Sequence, residues 1–280
     1  MVGNKLPTIQ SSIGKTTQLR YIRAWLISIN FDMAVMVQKI MKKIFLVLLL
    51  ALSGTAIAAQ VDEWLQKLEH PRHQKLALLP ENLIQNYISY DFSSTLKPRT
   101  IFLGYIGDNF RRIHISFKSI SRDPKNQDRY LVYGESVVGK NKNEFNGYIT
   151  VTSVREYKKM HYGVDDELIT TGIQHEGLLI GHYKFQEQQS QSHSGIFEGI
   201  VTAYWYIDKA GKLRYDDIEA AYSDNYTNNQ YVGTWTEHHT EKQEIANWGE
   251  HRIPFSGGLD IGAAEFGLNP KYKEQGWEKY

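Results

Sequence analysis

Hydrophobic and polar residues follow three successive patterns along the chain. One unbroken apolar run, Ile44 to Leu52, comes first. Val61, Trp64, Leu65 and Leu68 then recur at i, i+3, i+4 and i+7, one face of a short amphipathic helix, which Pro71 ends. A second short helix is predicted from Pro80 to Tyr87, with proline in its first turn. Both helices are expected to cap one end of the main core.

From about Thr100 the period changes to two. Alternation predicts strands at Thr100–Ile106, Arg112–Ser121, Arg129–Val137, Asn146–Arg155, Gly177–Gln186, Gly195–Ile207, Lys212–Tyr222, Gln230–Glu237 and Glu244–Ile253. These segments are rich in the β-branched and aromatic residues that suit a pleated, half-buried surface. Asp123-Pro124-Lys125-Asn126, Gly139-Lys140-Asn141-Lys142-Asn143 and Asp208-Lys209-Ala210-Gly211 read as turns, the last closing a hairpin. Gln186–Ser194 holds no apolar residue and reads as an exposed loop tip.

Phe102-Leu103-Gly104, Phe145-Asn146-Gly147, Phe197-Glu198-Gly199 and Tyr231-Val232-Gly233 share an aromatic-x-glycine pattern. Ile149, Val201 and Trp235 continue the same face in the last three, and Thr150, Thr202 and Thr236 follow them. Glycine weakens a strand, so its recurrence marks bends or close backbone approach, as a closing sheet requires. The fold expected is all-β with a short helical N-terminal segment. An antiparallel meander of about 8–9 strands closes into a barrel or a strongly curved sandwich. The tail Gln275–Tyr280 lacks the alternating aromatic strand with which outer-membrane barrels usually end.

The apolar run changes the picture of the N-terminus. Met41-Lys42-Lys43 precedes it and Ser53-Gly54-Thr55-Ala56-Ile57-Ala58 follows, which reads as a bacterial secretory signal peptide over 41–58 with cleavage after Ala58. The run is too short to span a bilayer as a helix, which takes about 20 residues. No cysteine follows, so a lipoprotein anchor is excluded and a periplasmic or secreted location is expected. Residues 1–40 are then expected to be an upstream extension, with translation starting at Met41. Gly14-Lys15-Thr16 lacks the upstream glycine of a phosphate-binding loop, since Ile9 stands there. The remainder divides into a helical segment (59–92), an antiparallel β domain (93–255) and a glycine- and aromatic-containing tail (256–280) expected to pack on it.

Removing 1–58 takes seven of the 32 basic residues and one of the 31 acidic ones, leaving 25 and 30, a net charge of −5 over 222 residues. Such a domain carries no electrostatic footprint for nucleic acid. The absence of cysteine also excludes disulfides, thiolate metal sites and cysteine nucleophiles.

Gly233-Thr234-Trp235 resembles the Gly-x-Trp signature of lipocalins, in which the tryptophan closes one barrel end. There it lies on the first strand; here it falls on the eighth. The resemblance implies barrel-end packing, lipocalin-like in architecture only, and transfers no function.

Candidate chemistry concentrates near the last strand. Trp248, Glu250, His251, Arg252 and Asp260, with Trp235, place indole planes beside charged groups, a combination that binds a sugar or an anion. The alternative is that the arginine pairs an acid and the tryptophan closes the core. His238-His239 and His251 would converge only if the last two strands brought them together; no metal site is expected, as no His-x-His or HExxH spacing occurs. Carboxylates considered for acid–base work are Glu135, Glu198, Asp216, Asp217 and Glu219. By alternation Glu198 faces solvent if Phe197 and Val201 face the core. Arg112, His114 and Lys118 form a basic strand face opposite Ile113, Ile115 and Phe117, suited to solvent, an acidic partner or a lipid headgroup.

The chain therefore reads as an exported β-barrel that binds a small hydrophobic ligand, a glycan or a lipid, or a protein partner. No cofactor and no integral membrane span in the mature chain are expected. Two rivals stand beside this reading. One is an envelope hydrolase with paired carboxylates around Glu198 or Glu250. The other is an inhibitor or immunity-type protein acting through Gln186–Ser194.

Overall fold

The computed structural model describes residues 59–69, 77–160, 172–218 and 226–278, together with positions 38, 41, 162, 169 and 220. The signal-peptide segment 41–58 and the stretch 1–40 lie outside the described residues apart from Gln38 and Met41, and Glu219 lies outside them too. Contacts divide the chain into Met1–Thr55 and Ala56–Tyr280. The fold below is that of the second unit.

Nine strands follow a helix α1 (59–69) and two single-turn helices, α2 (Ile84–Tyr87) and α3 (Ser93–Leu96). They are β1 (Leu103–Ile106), β2 (Arg111–Asp123), β3 (Asn126–Val138), β4 (Asn141–Glu156), β5 (His175–Glu187), β6 (Gly195–Ile207), β7 (Leu213–Tyr215), β8 (Asn228–Glu237) and β9 (Gln243–Glu250). Every pairing is antiparallel. The order β5-β4-β3-β2-β1-β9-β8-β6-β7, with β5 also pairing β6, closes eight strands into a ring. Closure removes the unpaired edges that an open sheet exposes. The three-residue β7 stands beside the ring, on the stretch of β6 from Trp205 to Ile207 that β8 leaves free. It is much shorter than the Lys212–Tyr222 strand expected, because Asp216 and Asp217 interrupt the alternation and the backbone leaves the sheet.

The glycines of the repeat sit where neighbouring backbones nearly touch. Gly199 and Gly233 are direct cross-strand partners, and a Cβ on either would collide with a carbonyl of the opposite strand. A Cβ on Gly104 would lie 2.7 Å from that of Trp248. The aromatic partners Phe102, Phe145, Phe197 and Tyr231 all point into the lumen and are buried.

Aromatic rings fill that lumen. Tyr231 stacks on Trp248 with ring centres 4.9 Å apart and planes 14° apart, and Phe145 stacks on Phe185 at 5.1 Å. Tyr183 also stacks on Phe185 at 5.0 Å and meets Tyr231 and Trp248 edge-on, as Phe197 meets Trp248 and Phe117 meets Phe185. At one end α2 and α3 close the barrel: Tyr87 and Phe92 pack on Trp205, and the Tyr130 hydroxyl accepts from the Phe92 N–H at 2.9 Å. The space left there, against Tyr87, Phe92 and Tyr130, is about 10 Å³, room for one water at most.

Two segments cover the outer wall. Helix α1 does not cap an end, as the sequence pattern suggested. Its Trp64 donates to Thr202 Oγ1 at 3.4 Å, Leu68 packs with Leu78, Tyr157 and Leu178, and Glu69 pairs with Arg155 at 2.9 Å. The reason is that Leu178, Ile180 and Tyr204 make the outer face of β5–β6 apolar as well, so a second apolar stripe finds its partner there. The C-terminal segment covers β1 and β9, where Leu103 and Tyr105 point outward into a small core with Ile253, Leu259, Phe266 and Trp277.

Candidate functional site at the barrel mouth

The hairpin turns β1–β2, β3–β4, β5–β6 and β8–β9 all lie at the end opposite α2 and α3. They surround a cavity of about 270 Å³. Its apolar floor is Ile106, Val138, Phe197 and Trp235, and its walls carry Arg111, Ser136, Asn141, Asn143, Glu187, His193, Glu237, Lys242 and Glu244. These residues come from all eight strands of the ring and from two turns, and those in strands lie within three residues of a strand end. The alternation that fills the lumen with rings thus gives way to polar side chains where the sheet ends.

Glu187 organises one side. Only 2% exposed, it ends β5 and ties three strands together. Its carboxylate accepts from the Gly195 N–H at 2.7 Å and from Trp235 Nε1 at 3.0 Å, and from the Ser136 hydroxyl. Its backbone carbonyl accepts from His238 Nε2 at 3.0 Å. The β5–β6 turn is pinned from both neighbours, with Asn143 Nδ2 donating to the His193 carbonyl at 3.1 Å and the His238 N–H donating to the Ser194 carbonyl at 2.9 Å. Within the run Gln186–Ser194, Gln188–Ser190, Ser192 and His193 are exposed, while Glu187 and Ser194 are buried.

Glu237 receives the Thr240 hydroxyl and has His193 Nδ1 at 3.3 Å. The Thr240 contact, and then His193, hold its carboxyl below the usual range against the opposing effect of burial. Across the mouth, Glu244 pairs with Arg111 and takes the Lys242 ammonium at 2.6 Å.

The residues singled out from sequence separate in space. Trp235 lines the mouth. Trp248 is fully buried in the lumen against Tyr231. Glu250 lies near the far end, fully buried. It accepts from the Arg99 and Thr100 N–H groups at 2.6 and 2.7 Å, the Thr100 hydroxyl at 3.2 Å, the Tyr215 hydroxyl at 2.9 Å and Asn229 Nδ2 at 2.8 Å. His251, at φ 66°, stands edge-on to Tyr226, with ring centres 5.0 Å apart. Arg252 pairs with Asp260 at 2.9 Å and also donates to the carbonyls of Gly262 and Ala264. Asp260 in turn accepts from the N–H groups of Gly262 and Gly267, both at 3.0 Å. Arg252 and Asp260 thus fasten the C-terminal segment.

The histidines do not converge. The β8–β9 register sets Trp235 against Glu244 and Asn228 against Glu250, so His238 sits at the mouth and His251 beyond the opposite end of the hairpin. Glu198 lies on the outer wall, paired with Lys184 at 3.2 Å. The basic face of β2 is engaged by neighbours: Lys118 sits 2.9 Å from both Glu135 and Glu144, and Arg112 lies over the Trp277 ring at 4.8 Å. His114 on that face has its pKa lowered by burial and by Arg112.

Sequence reasoning passed over Arg111, Ser136, Glu187, His193, Glu237 and Glu244 as site residues. The available signal was positional, a polar side chain closing each strand at every second turn. Comparison with protein-family models, with curated proteins and with solved structures finds no match, so the mouth and the architecture around it are what a functional reading rests on.

Proposed function

We propose that this chain is an exported binding protein of the bacterial envelope, whose barrel holds a small polar ligand of about sugar-ring size in its mouth. One observation carries the reading: stacked rings occupy the lumen, and a charged cavity of about 270 Å³ opens above them. That volume lies near the lower end of the roughly 300–1,000 Å³ of small-molecule sites. A hydrophobic ligand within the lumen loses its support, since Trp248, Tyr231 and Phe197 stand in its place. The mixture of an indole, carboxylates, a guanidinium and two asparagines favours a ligand rich in hydrogen-bonding groups. The basic start, apolar run and small-residue end of 41–58 support export.

The hydrolase reading loses its leading residues, because Glu198 faces solvent and Glu250 is held by five donors. Titration of ¹⁵N-labelled protein with monosaccharides, amino acids and small amines tests the binding reading. Shifts centred on the Trp235 indole, Asn143 and Gly195 are expected. Shifts centred on Glu250–Asp260, or none with any compound, would overturn it. Fractionation of host cells tests export. A periplasmic protein starting at Ala59 is expected, and a cytoplasmic one retaining 41–58 refutes it.

A further inference from the structure

We infer that the ligand of the mouth is an organic cation, a primary amine or guanidinium seated against the carboxylate of Glu187, beside the ring of Trp235. The inference rests on the binding reading above and adds the chemical class of what is bound.

Charge balance is the first ground. Three carboxylates line the cavity, Glu187, Glu237 and Glu244, against two permanent cations, Arg111 and Lys242. Both cations are taken by the same carboxylate, Glu244. Glu237 has His193 Nδ1 at 3.3 Å, so Glu187 is the carboxylate of the lining that none of these basic groups reaches.

Burial is the second. Glu187 is almost wholly buried, yet its donors, Ser136, Gly195 and Trp235, are all neutral. Among the described residues no lysine, arginine or histidine lies within ion-pair distance of its carboxylate. A carboxylate has about four acceptor sites, so three donors leave one open. A buried charge without a counter-charge is costly, and a cation entering the mouth relieves that cost. A neutral sugar can hydrogen-bond the same atoms but leaves the charge uncompensated.

The third ground is aromatic. The Trp235 and Phe197 rings line the same cavity, and an indole face attracts ammonium and guanidinium groups. A metal ion fits less well. Among the described residues no three His, Asp or Glu side chains converge as a metal requires.

The test compares partners of equal shape that differ in charge: 1,4-diaminobutane against 1,4-butanediol, and glucosamine against glucose at a pH where its amine is protonated. Binding is followed at the Trp235 indole and Gly195 resonances. Each amine is expected to bind at least about tenfold more tightly than its neutral partner, with the difference shrinking as salt is raised. Equal affinity, or preference for the neutral partner, overturns the inference and leaves the mouth as a polar-ligand site. No response at the mouth from either pair overturns both readings. Glu187→Gln is expected to erase the preference. Its amide would face three donors, so its fold is checked by circular dichroism, and the wild-type comparison stands without it. A folded Glu187→Gln protein that keeps the full preference also overturns the inference.

Discussion

Replacing Glu250 by glutamine should destabilise the barrel while leaving the mouth untouched. One carboxylate oxygen accepts from Arg99, and from the N–H and hydroxyl of Thr100; the other accepts from Tyr215 and Asn229. Glutamine keeps a carbonyl oxygen for the first three. It puts an amide NH₂ where the second oxygen stood. The Tyr215 hydroxyl can rotate and accept from that group, but Asn229 Nδ2 then faces another donor. Hydrogen bonds to charged groups contribute about 1.5–3 kcal/mol, and leaving a buried donor unpaired costs about 1–3 kcal/mol. Losing charge assistance throughout and gaining one donor conflict sums to roughly 2–4 kcal/mol. For a domain of this size each kcal/mol lowers Tm by about 2–4 °C, so a fall of about 5–15 °C is expected. Calorimetry and urea unfolding measure it, with Glu198→Gln as the control. That residue is half exposed on the outer wall, and its change should stay within about 0.5 kcal/mol. An Glu250→Gln protein melting within about 2 °C of wild type would refute the network reading. So would a selective loss of ligand binding at unchanged stability, which would return Glu250 to the binding residues.

Other expectations follow from the same geometry. Gly199→Ala and Gly233→Ala should each destabilise by about 1–3 kcal/mol or more through the carbonyl they would strike, and a neutral result in urea unfolding would remove close approach as the reason for these glycines. Tyr231→Phe should leave stability unchanged or raise it by about 1 kcal/mol, because its buried hydroxyl has no hydrogen-bond partner among the described residues; a clear loss in a thermal melt would point to a bound group there. Trp277→Ala should cost about 3–5 kcal/mol in the outer core, where its ring stacks on Phe266 and its N–H reaches the Phe110 carbonyl, and should expose residues 253–278 to limited proteolysis before the barrel is cut. Burial pushes the Tyr105 phenol up from 10.0 to about 12. Its folded value lies above its unfolded one, so its stabilising effect is whole below pH 10.0 and is lost as pH rises toward about 12. The tyrosinate absorbance that wild type gains over Tyr105→Phe should therefore appear together with the loss of β signal; ionisation of Tyr105 well ahead of unfolding would contradict the burial.

The strands were legible because period two survives at nearly every position that faces the lumen. Ile113 and Ile115, or Phe145 and Ile149, declare their face without help from the rest of the fold. The glycine repeat carried closure for a similar reason, since Gly199 and Gly233 mark one contact from both strands. The mouth was not legible. Glu187, Trp235 and Ser136 are far apart in sequence and are joined only by the register of four strand pairs. In contrast, the crowding of Trp248, Glu250, Arg252 and Asp260 was visible, and so was the alternative that the arginine pairs an acid. β9 ends there and the chain folds back over the wall, so the polar groups answer one another. Helix α1 showed its apolar stripe, but that stripe held no information about which apolar surface receives it.

The seam where the ring shuts has a kinetic consequence. β1 and β9 meet over four residue pairs, from Leu103 with Gly249 to Ile106 with Ala246, and these strands are the first and last of the meander. Until the residues of β9 are available, β1 and β8 both present raw edges. Bringing such distant segments together carries a large loop-closure entropy, and topologies dominated by such contacts fold slowly. The ring therefore cannot shut before the residues of β9 have been made. An unfinished ring remains threadable, and a finished one does not.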